Sequence, residues 1–422
     1  MYKHIAYGGV VVAAAVALSG PGAGGAGASA TASRAGPAGQ AAVTAGPAAA
    51  GPGTQLWVKR YNGPGSYATS VAVGPGGGTV YVTGTSYGSA SGGDYVTVAY
   101  NAATGAQRWV KRYNGPASQN DWAQSMALSP GGGTVFVTGY SVASIRLGGD
   151  YATVAYNAAT GAQRWVKRYN GPAKFSDNAR SVAVSPTGAT VYVTGGSCND
   201  RNESSADYVT VAYNAATGAQ RWVKRYNGPA NGGIDGASSV AVSPRGSTVY
   251  VTGTSESASG TDYATVAYNA ATGAQQWVRR YADGDARSMA VSPGGETVYV
   301  TGNSYGSAPG GGYATVAYNA ATGAQRWVKR YNGGDEARSV AVSPGGETVF
   351  VTGTSGSDYA TVAYNAATGA QLWVKRYNGP GNLDDQPSSV AVSPDGAKVF
   401  VTGGSEKSGG YFDQYVTIAY SG

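Results

Sequence analysis

One eleven-residue phrase, AYNAATGAQRW at residues 99–109, recurs along the chain, and its near-copies end at Trp165, Trp222, Trp277, Trp327 and Trp373. The tail of a seventh copy, TQLW, ends at Trp57, and its head, IAYSG, ends at Gly422. Successive tryptophans lie 46 to 57 residues apart. A repeat of that period decides the fold through its unit. Read from SVAV, the unit has a fixed order: SVAVSP (181–186), TVYVTG (190–195), DYVTVAY (207–213) and QRWVKRYNG (220–228). All four segments are rich in Val, Thr, Tyr and Trp and are bounded by Gly, Pro, Asn or Ser, the signature of strands. None has helical periodicity. Four strands per unit predict one propeller blade, and seven units predict an all-β, seven-bladed β-propeller of four-stranded antiparallel blades. The divided seventh unit predicts a clasp. Residues 56–63 form the outer strand of a last blade whose three inner strands are residues 389–394, 398–403 and 415–420. Such closure removes an open sheet edge.

The first residues differ from the repeats. Lys3 and His4 precede an apolar run at residues 8–19, shorter than the roughly 20 residues that span a bilayer. The small residues at 26–32 offer A-x-A cleavage options, so residues 1–32 read as a secretory signal peptide. Residues 33–53, almost all Ala, Gly and Pro, read as a linker, and residues 54–422 as the propeller. A secreted protein without stable membrane insertion is the expectation. Cys198 is the only cysteine, which leaves a free thiol and no intramolecular disulfide. The only histidine is His4. Once the signal is removed, Ser-His-Asp and Cys-His nucleophile activation and histidine-ligated zinc are excluded.

In such a blade the turns SPGGGT and NAATGAQ fall on one face and are short and uniform. The other face carries loops that differ in length and sequence, and divergent loops on a rigid scaffold are where binding usually sits. Eight aromatic residues outside the repeat fall in those loops: Tyr67, Tyr87, Trp122, Tyr140, Phe175, Tyr305, Tyr411 and Phe412. So do nineteen of the 22 acidic residues, against seven basic ones. Those seven are Arg146, Lys174, Arg180, Arg201, Arg287, Arg338 and Lys407. Each outermost strand carries a Lys-Arg or Arg-Arg pair, fourteen cations in all. The net charge of +7 therefore describes a basic rim around an acidic face. Edge lysines discourage edge-to-edge pairing. Cations interleaved with exposed aromatics, as nucleic-acid binding needs, are absent.

Two acidic rings recur. Asp94, Asp150, Asp207, Asp262 and Asp358 precede the third strand and read as turn caps. The other ring, Asp121, Asp177, Asp235, Asp335 and Asp385, precedes the innermost strand, with Asp283 and Asp285 in blade five. Carboxylates near a channel mouth suit calcium, so Asp121, Asp177, Asp235, Asp285, Asp335 and Asp385 are candidate calcium ligands. Trp122, Tyr140, Phe175, Arg287 and Arg338 are candidate ligand-binding residues.

The A-x-N-x-x-T-G-x-x-x-W spacing resembles the tryptophan-docking repeat of pyrroloquinoline-quinone-dependent dehydrogenases and related propellers. The wider unit is similar to the repeats of exported bacterial propellers. The resemblance covers residues 54–422 and departs in carrying Asn101, Asn157, Asn214, Asn269, Asn319 and Asn365 where the usual residue is Asp. It implies that the motif's Ala, Gly and Trp lock blades together, with Ala99 and Gly105 leaving room for the indole of Trp109. The resulting expectation is a monomeric, non-catalytic scaffold that binds an extracellular protein or cell-surface polymer through its variable face. The alternative is an enzyme, either a quinone-dependent dehydrogenase or a carboxylate–arginine lyase or hydrolase at the channel mouth. Such dehydrogenases usually have eight motif-bearing blades, and many have a vicinal cysteine pair. This chain has seven motif units and one cysteine, so quinone is not the expected cofactor.

Overall fold

The computed structural model describes residues 57–61, 63, 66–88, 92–144, 148–282, 284–305, 312–406 and 414–422. Residues 1–53, the signal and linker of the sequence reading, lie outside them, as do Arg146, Asp283, Lys407, Tyr411 and Phe412. The described residues contain 27 strands and no helix, arranged as seven antiparallel meanders set in a ring. Blade three shows the pattern: Asp177–Val184, Thr190–Cys198, Ala206–Asn214 and Gln220–Tyr226 pair in chain order.

The two middle strands of a blade are covered on both faces, so they read as near-continuous apolar runs. In blade three Val191, Val193, Val209 and Val211 are fully buried. The threonines among them are satisfied internally: Thr194 Oγ1 lies 3.0 Å from Thr210 Oγ1 and donates to the Val209 carbonyl at 3.0 Å. Buried hydroxyls without such partners would oppose folding. The outermost strand is an edge, and Trp222 is its buried residue.

The uniform turns share one face, as expected: Ala215 N donates to Ala189 O at 3.1 Å, joining the third turn of blade three to its first. Asn214 Oδ1 accepts from Ala216 N and Thr217 N at 3.0 and 3.1 Å. Only an acceptor is required there, which explains why Asn serves where related repeats carry Asp.

Blades are joined by tryptophan, with an offset that the sequence reading placed differently. Trp109 lies opposite Ala99 in its own sheet, but its indole docks on the next blade, donating to Ala158 O at 2.9 Å above Gly161. Gly105 receives Trp57 instead. The same step recurs at Trp165, Trp222, Trp277 and Trp327. Each motif glycine has positive φ, +69° at Gly273, and a Cβ there would stand 2.8 Å from the Trp222 ring. Both facts demand glycine.

Blade seven has three strands, Asp385–Val392, Lys398–Ser405 and Gln414–Ser421. The described part of its expected fourth, residues 57–61, forms no strand. Its tryptophan still docks: Trp57 Nε1 donates to Ala102 O of blade one at 2.9 Å. The seam there is more open than the others. Val71 is 49% and Phe400 38% exposed, against 6% for Val182 and 1% for Phe350 at matching positions.

Candidate functional site

The repeated charges are largely consumed by the fold. In blade three Arg225, the second cation of its outermost pair, turns back over its own sheet. It donates Nε to Asp207 Oδ2 at 3.0 Å, Nη1 to Ser197 Oγ at 2.9 Å and Nη2 to Asn199 Oδ1 at 2.8 Å. Arg112–Asp94, Arg168–Asp150 and Arg280–Asp262 repeat the bridge at 3.0, 3.1 and 2.9 Å. The reading of these four aspartates as turn caps is thereby corrected. A guanidinium reaches its sheet's own carboxylate because the two strands are hydrogen-bonded neighbours.

The second acidic ring points into the protein. Asp121, Asp177, Asp235 and Asp385 are buried, and the Oδ2 of each accepts the N–H of Gly115, Gly171, Gly228 or Gly379 at 2.5–2.6 Å. Each thus pins the loop that enters its own blade. Gly284 replaces aspartate in blade five, and Asp335 of blade six is exposed, accepting from Gly356 N at 2.6 Å. Among the described residues no group of three or more His, Cys, Asp or Glu side chains could hold a metal ion. Of the six aspartates named as calcium ligands, Asp121, Asp177, Asp235 and Asp385 are buried against their own blades, and Asp285 and Asp335 are not buried.

Burial pushes the Asp177 carboxyl up to about 6, although hydrogen bonds from Ser197 and Gly171 oppose it. The folded state then holds a proton between about pH 4 and 6 that the unfolded chain has lost, so this group's contribution to stability falls as pH rises through that window. Asp177→Asn keeps an acceptor for Gly171 and removes the charge. We expect it to raise unfolding free energy at pH 7 by up to about 3 kcal/mol and to flatten the pH 4–6 dependence. Urea melts at several pH values check both; a less stable variant with an unchanged pH slope would refute this account.

The solvent-reaching side chains of the innermost strands lie elsewhere. Along Asp177–Val184 burial alternates: Asp177, Ala179 and Ser181 are buried, while Asn178 and Arg180 are half-buried. Neighbouring blades flank both sides of an innermost strand, so the solvent open to these positions is that of the central opening. The second of them is a β-bulge in every blade, at Thr69, Gln124, Arg180, Ser238, Arg287, Arg338 and Ser388. Bulges re-aim side chains and often adjoin functional sites. At Ser238 the hydroxyl donates at 2.7 Å to Ala286 O of the next innermost strand. The sequence signal was the variable residue of A-x-S inside an otherwise uniform strand.

The candidate ligand-binding residues mostly gather here. Arg287 lies 3.9 Å from Asp285, and Arg338 bridges Glu336 at 2.5 Å. Burial holds the Arg338 guanidinium below its ordinary value; Glu336 opposes this and Arg287 adds to it. Tyr305 donates to the Asp285 carboxylate. Trp122 and Tyr140, opposite one another on adjacent strands, stack with centroids 5.2 Å apart at 21°. A cleft of about 260 Å³ between blades six and seven is lined by Asp335, Glu336, Arg338, Thr354, Asp384 and Gln386, among others. Phe175 is half-buried in the loop before blade three and is not one of the mouth positions.

No curated protein matches the chain. Solved structures match in number, 958 chains, so the fold is too widely shared to select an activity. One is hydrazine synthase of Kuenenia stuttgartiensis, with a TM-score of 0.56 over 87% of this chain and 99% of that one at 14% identity. That likeness is one of fold alone. The family model described as outer membrane protein assembly factor BamB matches residues 43–199, 122–265 and 262–412. Those segments span most of the repeats, and with the docked tryptophans they place this chain in the PQQ-like propeller family that carries that description.

Proposed function

We propose that the protein is a secreted, non-catalytic interaction module that binds an extracellular protein or cell-surface polymer at the variable face and mouth of its ring. One observation carries this reading. In blades two to five, variation along the innermost strands concentrates at the two half-buried positions, while the intervening Asp, Ala and Ser positions are buried and, apart from Gly284, uniform. A scaffold that holds its fold constant and varies only what solvent can reach is organised for recognition. The family model's description as an assembly factor is in keeping with a role exerted through contacts.

Neither the Asp177 carboxyl nor the Tyr305 hydroxyl is placed for acid–base chemistry near neutral pH. The Asp177 carboxyl, at about 6, is enclosed in the core, and its perturbation follows from structural burial. The Tyr305 hydroxyl is pushed up to about 12, by burial first and then by Asp285, away from the range useful for proton transfer near neutral pH. The full chain mixed with pyrroloquinoline quinone, calcium, a redox dye and a panel of alcohols and sugars is expected to give no turnover. Dye reduction that depends on the protein and is lost in Arg287→Ser/Arg338→Ser would overturn the reading in favour of the dehydrogenase.

A further inference from the structure

We infer that the mouth binds a neutral oligosaccharide, laid across the opening between Trp122 of blade two and the cleft beside Glu336 and Arg338 of blade six. The inference rests on the interaction-module reading and names its ligand class.

A sugar ring offers an apolar C–H face and hydroxyls that both donate and accept. The proteins that recognise it need an aromatic plane beside planar groups of both hydrogen-bonding polarities. The mouth supplies each. Trp122, half-buried with one ring face stacked on Tyr140, gives the plane. The amides of Gln124 and Gln386, half-buried on two blades, each carry donor and acceptor. Asp285 and Glu336 accept, and Arg287 and Arg338 donate.

Charge separates this ligand from a polyanion. Each of those two arginines is matched by an acid two residues earlier on its own chain, at 3.9 and 2.5 Å. Those two arginines therefore present no unmatched positive field to select a polyanion, although the solvent-reaching acids of the blade six–seven cleft, Asp335, Glu336 and Asp384, outnumber its one arginine. A protein partner would call for a large apolar centre to desolvate. Among the described residues the exposed large apolar side chains on this face, Tyr67, Tyr87, Ile234 and Tyr305, are spread over blades one, four and five. The blade six–seven cleft, about 260 Å³, is below the roughly 300–1,000 Å³ of a typical small-molecule pocket. It has room for one ring of a chain. Trp122 lies on a different blade, so a ligand that uses both must have several rings.

The test is calorimetry of the full chain with cellohexaose, laminarihexaose and chitohexaose, alongside polygalacturonate and polylysine. Saturable binding of a neutral hexasaccharide is expected. Trp122→Ala and Arg338→Gln should each weaken it about tenfold, near 1.4 kcal/mol, while Lys111→Gln on the outer rim leaves it unchanged. If Trp122→Ala does not fold, Gln124→Ala replaces it. Binding confined to the charged polymers, no binding of any neutral hexasaccharide, or neutral binding indifferent to the mouth variants would each overturn the inference. Loss of the sugar result together with mouth-dependent binding of a purified polypeptide would leave the interaction module standing; quinone-dependent turnover would remove the module reading itself.

Discussion

Trp222→Ala should lower the unfolding free energy by about 3–5 kcal/mol, the largest loss expected from any substitution outside the backbone-constrained glycines. The indole is buried between blades three and four, with its ring 5.7 Å from Tyr192 of its own blade and 6.2 Å from Tyr268 of the next. Its N–H donates to Ala270 O at 3.1 Å. Removing it opens a cavity that the two sheets cannot collapse into, because Gly273 and the strands around it are fixed by their own turns. Trp222→Phe separates packing from hydrogen bonding. Tyr192 also donates to Ala270 O, at 3.1 Å, so the carbonyl keeps a partner and the loss should be only about 1–2 kcal/mol. Against the roughly 5–15 kcal/mol that holds a typical domain folded, the alanine variant should melt far below the parent in guanidinium. A loss under about 1 kcal/mol would show that the indole is not the joint between these blades.

Gly353→Ala should be nearly as damaging and should also reach the mouth. Its Cβ would fall 2.1 Å from the Glu336 carbonyl oxygen and 2.8 Å from Ala337 Cα. Both are backbone atoms of the bulged strand, so no side chain can move aside. The bulge must open, at a cost of roughly 3 kcal/mol, and Arg338, the bulged residue, must shift with it. Gly131→Ala is the control, since nothing lies within 4 Å of a Cβ there; its change should stay within about 0.5 kcal/mol. The expected result is a destabilised Gly353 variant whose affinity for any mouth ligand also falls at temperatures where it remains folded. Equal stability of the two glycine variants would mean that the bulge tolerates a side chain and does not fix Arg338.

What could be read in advance divides along physical lines. Strand identity, blade number and the shared face of the turns follow from period and composition, which are local, and all appear in the structure. Asp121 and Arg180 are harder. Strand alternation places Asp177 and Arg180 on opposite sides, as the structure does, but it does not say which side faces the core. Which side meets the neighbouring blade is a tertiary fact, so sequence alone does not show that Asp121, Asp177, Asp235 and Asp385 face the core while Asp285 and Asp335 do not. Arg225 was legible as a cation but not as the partner of Asp207, because the pairing depends on register across two strands. The docking of Trp109 onto Gly161, one blade further on, is likewise invisible within a single repeat. Arg287 and Arg338 were found because the loops before them break the repeat. Gln124 was passed over because nothing around it does.

The bulge at one position in every innermost strand also bears on how such a protein can change. The residue it displaces makes no register contact that its neighbours depend on, and Thr, Gln, Arg and Ser all occupy it in this one chain. Seven such positions, each beside a second half-open one, form an alphabet that substitution can rewrite while the folding code stays untouched. New specificities can therefore arise by single exchanges within an unchanged scaffold, and a library randomised at these positions alone should remain mostly folded.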